Sequence, residues 1–100
     1  MTVAEMPVMG KVVLTHSAGL HARPAVKLTK LAKTFKSTID LATKPEGPWT
    51  DVKSVAKVMA MKVPKNSMLH FRASGDDADQ AITALIALID RDFDEAHENG

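Results

Sequence analysis

The chain has 100 residues, 45% of them hydrophobic, and sets 13 Lys and Arg against 12 Asp and Glu. That is the size of one domain, with apolar content enough for a modest core and too high for a disordered chain. The even charge argues against a nucleic-acid coat or a polybasic membrane protein; with no cysteine, packing alone holds the fold.

The first ten residues, MTVAEMPVMG, carry an acid and a proline and no basic segment ahead of an apolar run. They read as a tail, not a signal peptide. No apolar run approaches the ~20 residues that span a bilayer, so the expectation is a cytoplasmic protein without membrane insertion.

Lys11 to His16, KVVLTH, is β-branched and apolar with Val12 and Leu14 on one face, which predicts a strand. From Ala22 to Phe35 the period becomes helical: Ala25, Leu28, Leu31, Ala32 and Phe35 recur on one side, with Lys27, Lys30, Lys33 and Thr34 over most of the rest. STIDLAT then alternates, Ile39 and Leu41 inward, Thr38 and Asp40 outward, as a second strand. KPEGPW, Lys44 to Trp49, is turn chemistry, and a short strand is expected around Trp49 to Val52.

Ser54 opens a short helix, SVAKVMAM, with Val55, Val58 and Met59 as its apolar residues. VPKN breaks it. SMLHFRA alternates again, Leu69, Phe71 and Ala73 against Met68, His70 and Arg72, as the last strand. In GDDADQ, Asp76 is the expected N-cap of the final helix, with Asp77 and Asp79 in its positive first turn. Ala78, Ala81, Ile82, Leu85, Ile86 and Ile89 form that helix's inner stripe, which ends near Asp90, and DFDEAHENG reads as a polar tail. The domain is therefore expected over 11–90, with tails over 1–10 and 91–100. Alternating strands imply a sheet with one dry face, and the helices must cover it. The fold class is α+β, a two-layer sandwich on an antiparallel sheet.

The stretch AGLHARPAVKL, Ala18 to Leu28, carries the chemistry. A helix starting just after His21 leaves its first N–H groups without intrahelical partners, and its dipole adds positive potential there. Such a mouth binds anions, phosphate above all. Pro24 fits the first turn, and Gly19 lets the chain turn sharply out of the strand. The positive potential, with the Arg23 guanidinium, disfavours a second positive charge on His21 and leaves a nucleophilic lone pair. A phosphoryl group on that ring would meet helix N–H groups, the dipole and Arg23, while the P–N bond stays reactive. That combination describes a carrier. A histidine at a helix cap is also an ordinary local hydrogen-bonding residue, and the residues alone leave both readings open.

GLHARPA resembles the phosphorylation-site signature of HPr, the histidine-containing phosphocarrier family of the phosphoenolpyruvate-dependent phosphotransferase system. The likeness extends over Lys11 to Ile89: VKSVAKVMAM lies where that family has its regulatory serine, and ASGDDADQAITALIALI resembles its closing turn and last helix. The resemblance implies an open-faced sandwich, four antiparallel strands covered on one face by three helices. It implies that His21 is phosphorylated on Nδ1, that Arg23 contacts the phosphoryl group, and that Ala22 and Arg23 supply backbone N–H donors. Ser54 matches the serine that a dedicated HPr kinase phosphorylates in some bacteria. Val55, Ala56 and Met59 match the surface that docks partners, and Ala25 is added to that patch. Enzyme I would be the donor and a IIA-type protein the acceptor. The protein would then be a carrier without cofactor, not an independent catalyst.

Some features depart from the family. The loop TKPEGPW and its Trp49 are unusual, and Ala18 stands where many members have an asparagine. The closing segment ALIALIDRDFDE, residues 84–95, looks like the nitrogen-related branch, whereas Lys53-Ser54 looks like members with serine regulation. Other residues have plain readings. Ser54 caps a helix whether or not a kinase exists, a role worth ~1 kcal/mol. Met59 is expected exposed beside a buried Val58, and the lysines of the first helix form a solvated face that steers acidic partners. His16 and His21 have no Asp or Glu near them in sequence, which argues against a metal site. His70 points outward and His97 lies in the tail. The competing function is a non-catalytic anion- or RNA-binding module. It would need aromatics on the sheet, yet the chain has no Tyr and three Phe, with Phe35 and Phe71 placed by pattern in the core.

Overall fold

The computed structural model describes residues 6–17 and 19–94. In chain order the elements are β1 (Val8–Val13), α1 (Ala22–Ala32), β2 (Thr38–Ala42), β3 (Thr50–Asp51), α2 (Val55–Ala60), β4 (Met68–Ser74) and α3 (Ala78–Asp90), closed by a 3-10 turn over Asp92–Asp94. The four strands pair antiparallel in the order β1-β4-β2-β3. Three helices cover one face, giving the two-layer α+β sandwich that the patterning predicts, in the open-faced form that the resemblance implies.

Central β4 shows how alternation builds the layer. Leu69, Phe71 and Ala73 are buried while Met68 and Ser74 are exposed, and Phe71 stands opposite Gly10 on one side and Leu41 on the other. Ile39, Leu41, Leu28, Val58, Leu85 and Ile89 close the core around it. On the open face the Arg72 Nε donates to Asp40 Oδ2 at 3.0 Å, and its guanidinium lies 4.3 Å from the Trp49 ring centroid. The unusual loop thus folds its tryptophan onto the sheet, where a cation–π contact and an ion pair share one arginine.

The structure corrects several expected boundaries. β1 starts at Val8, so Val8, Met9 and Gly10 pair with Ala73, Arg72 and Phe71 and are not tail. The Met-Gly composition hid this, yet Gly10 is needed: a Cβ there would stand 2.6 Å from Ile82 Cγ2 and 2.8 Å from Ile86 Cδ1, so its absence lets α3 lie against β1. α1 ends at Ala32, three residues early, because Thr34 and Phe35 donate to Leu31 and Ala32 in a tightened last turn. Phe35 is consequently half-buried against the core and not within it. The polar C-terminal segment is no tail at Phe93, which is fully buried. His97, expected in the tail, lies outside the described residues.

α3 is capped by Asp77, not Asp76, and the Asp77 side chain makes no bond to its own helix. Its carboxylate instead accepts from the Lys36 N–H at 2.8 Å, the Ser37 N–H at 3.0 Å and the Ser37 hydroxyl. The start of α3 is thereby tied to the start of β2. Gly75, with φ +142°, permits the approach, since a Cβ there would meet Ser37 Oγ at 2.6 Å. The Ser37 hydroxyl, then the Lys36 N–H, hold the Asp77 carboxyl below its ordinary value of 3.8. A depressed carboxylate stabilises the fold above its unfolded-state value and loses that contribution as pH falls through the folded value. Asp77→Asn should therefore unfold at a lower temperature than the parent at neutral pH, with the gap closing below 3.8. Thermal unfolding followed from about pH 7 to about pH 2 checks this; a gap of constant size would show that the charge contributes nothing.

Candidate phosphorylation site

The site is built where β1 hands over to α1. Leu14 continues past the strand, donating to the Ser67 carbonyl and accepting from the Asn66 N–H. The Gly19 N–H then bonds the His16 carbonyl at 2.9 Å, which reverses the chain. Gly19 has φ +75°, and a Cβ on it would stand 2.6 Å from the Val63 carbonyl oxygen, so backbone strain and lack of space both demand glycine. Leu20 fixes the end of the turn, buried and donating to that same Val63 oxygen.

His21 follows as the N-cap of α1, in extended backbone with φ −104°. Its carbonyl accepts the first intrahelical bond, from the Ala25 N–H at 2.9 Å. Its side chain makes no capping hydrogen bond, and the residue is exposed. Capping its own helix through the ring is thus not its role. Pro24, third in the helix and buried, has no N–H. Ala22 and Arg23 are therefore the residues that bring backbone N–H groups to the mouth of the first helical turn. Both residues are exposed. An open imidazole therefore borders two backbone donors and the positive end of an 11-residue helix.

α2 is held beside α1. The Thr29 hydroxyl, buried in α1, donates to the Val52 carbonyl at 3.0 Å, and the Lys53 Nζ reaches the Phe35 carbonyl at 2.7 Å. Ser54 caps α2 as expected, its hydroxyl accepting from the Lys57 N–H at 3.3 Å. Val58 is buried and Met59 exposed, as the spacing predicts. Ala56 is exposed and Val55 half-buried. Ala25 is a correction: it is 0% exposed and part of the core, so it cannot touch a partner. The apolar surface on α1 comes instead from Val26, 41% exposed, which the sequence reading passed over. It lies four residues beyond Ala22 and so on the same helical face.

Sequence reasoning also missed His16. Its ring stands edge-on to His21, with centroids 6.4 Å apart, and edge-on to Phe93 at 5.7 Å. The signal was Gly19: a turn there brings a residue five positions upstream back beside His21. Two surface concavities lie elsewhere, one lined by Met9, Gly10, Lys11 and His70, the other by the outer face of α3. Ala18, the departure noted beside the motif, lies outside the described residues. The RNA-binding alternative loses its platform, since Phe71 and Phe93 are buried and Trp49 is engaged by Arg72.

Among the described residues, no helix is long and apolar enough to cross a membrane. A family model described as the PTS HPr component phosphorylation site matches residues 8–91. The phosphocarrier protein NPr of Proteus mirabilis is 39% identical over 85 residues, covering 85% of this chain and 93% of that protein. The phosphocarrier protein HPr of Mycoplasma capricolum is 42% identical over 74 residues, covering 73% of this chain and 80% of that one. The crystal structure of HPr-C-His from Thermoanaerobacter tengcongensis superposes with a TM-score of 0.82 at 30% identity, covering 90% of this chain and 99% of that one.

Proposed function

The chain belongs to the HPr family of phosphocarrier proteins of the phosphotransferase system, and from that premise we propose that His21 is its phosphoryl acceptor. The observation that carries this is an exposed imidazole at the mouth of α1 that makes no capping bond of its own. The lone pair of Nδ1 attacks phosphorus. The bond from phosphorus to the donor's leaving atom breaks, and that atom keeps the electron pair. The His21 proton stays on its other ring nitrogen. The new dianionic group sits against the Ala22 and Arg23 N–H groups and the Arg23 guanidinium, which stabilise charge without sharing in the bond. The reverse attack, by an acceptor's nucleophile, discharges it.

Enzyme I, charged from phosphoenolpyruvate, is the donor in this reading and a IIA-type protein the acceptor. The exchange takes place in the cytoplasm, and the carrier turns over no small substrate alone. Ala22, Val26, Ala56 and Met59, with half-buried Val55, give partners a small apolar patch between α1 and α2, suited to a transient interface. Ser54 is the regulatory position. Phosphate on its hydroxyl is tolerated at a helix N-terminus but sets a dianion beside the docking patch, which repels an acidic partner.

Incubation with enzyme I and phosphoenolpyruvate is expected to add one phosphoryl group to the intact mass, lost in acid and kept in base. No gain, or an acid-stable gain, would overturn the proposal. An HPr kinase should add an acid-stable group that fragmentation places on Ser54; a label elsewhere removes the regulatory role.

A further inference from the structure

We infer that His16 is a positioning residue for His21, braced from behind by Phe93; this rests on His21 being the acceptor. The three aromatic rings form a chain. His16 meets His21 at 6.4 Å and Phe93 at 5.7 Å between centroids, with 76° between planes in both pairs. Both are edge-to-face arrangements within the range in which aromatic rings attract.

The far end of this chain is anchored. Phe93 is fully buried, and the Lys27 Nζ donates to its carbonyl at 2.8 Å. Asp92 and Phe93 both take left-handed backbone, φ 56° and 59°. Two such residues in succession, neither glycine, are strained and persist only where the surroundings over-determine them. Burial of the Phe93 ring and the lysine tie meet that need. Lys27 belongs to α1, the helix that His21 caps. The brace therefore begins and ends on one helix and spans the reversed loop between.

The consequence concerns His21. Its side chain is exposed and has no capping bond to fix it. Contact with the edge-on ring of His16 limits the orientations it samples and keeps one side of the imidazole toward an incoming donor. Holding a nucleophile near its reacting geometry raises the rate of the chemical step without altering affinity.

The test uses the full chain with enzyme I and phosphoenolpyruvate, comparing His16→Ala, His16→Phe and the parent. His16→Ala should lower kcat for phosphoryl acceptance about tenfold with KM unchanged. His16→Phe, which restores an aromatic edge, should return most of that rate. Nitrogen-detected NMR of the His21 ring should show shifted, broadened signals in the alanine variant and parent-like signals in the phenylalanine variant. Should His16→Ala fail to fold, His16→Leu keeps the bulk without the ring and should be equally slow. A parent-like rate in a folded variant without the ring, a loss in KM alone, or a phenylalanine variant as slow as alanine would each overturn the inference. Failure of the acceptor assignment looks different: the phosphoryl group would be found on another residue whatever stands at position 16.

Discussion

His21→Ala is expected to abolish the acid-labile mass gain while leaving the fold as it is. The side chain is exposed and makes no capping bond, so its removal should change stability by less than about 0.5 kcal/mol. The His21 carbonyl remains to receive the Ala25 N–H, and the helix start survives. What disappears is the nucleophile. His16 is not expected to replace it, since its ring is set edge-on to both His21 and Phe93. Intact-mass measurement beside thermal unfolding checks both halves. A folded His21→Ala protein that still takes one acid-labile group would mean that another residue accepts it.

Phe93→Ala should carry the largest stability cost outside the sheet. The ring is fully buried and packs into the core cluster. Truncating a buried phenylalanine costs about 3–5 kcal/mol, a large share of what a domain of this size holds. The left-handed backbone at Asp92 and Phe93 loses its buried anchor at the same time, which leaves the Lys27 bond to the carbonyl at position 93 to hold it. Urea unfolding should show a midpoint displaced to match. A loss under about 1 kcal/mol would show that the closing turn lies on the fold without supporting it.

The contrast between these two residues shows what the chain makes legible. The place of His21 at the helix cap could be read because its signals are local: glycine, histidine, arginine and proline fall within six positions. Phe93 was lost among the charges of DFDEAHENG, although Leu85, Ile89 and Phe93 continue one stripe at intervals of four. The strand alternation in β2 and β4 was legible because each has one dry face and one wet one. The start of β1 was not, because Met9 and Gly10 carry no strand preference and Gly10 is selected by the approach of Ile82 and Ile86. Asp77 was placed in the first turn of α3 and the capping role given to its neighbour; only the fold brings Ser37 within reach of its carboxylate. Ala25 shows the opposite error. Its spacing with Leu28 and Ala32 already placed it in the core, and assigning it to the docking surface contradicted that periodicity, whereas exposed Val26 fits the role.

The assignment of His21 as acceptor is tested most directly by phosphorus–nitrogen NMR on the uniformly nitrogen-labelled protein after charging by enzyme I and phosphoenolpyruvate. Phosphorus is expected to couple to Nδ1 of His21, with the Ala22 and Arg23 amide resonances displaced on phosphorylation. Phosphorus coupled to a ring nitrogen of His16 or His70, with the His21 ring unchanged, would contradict it.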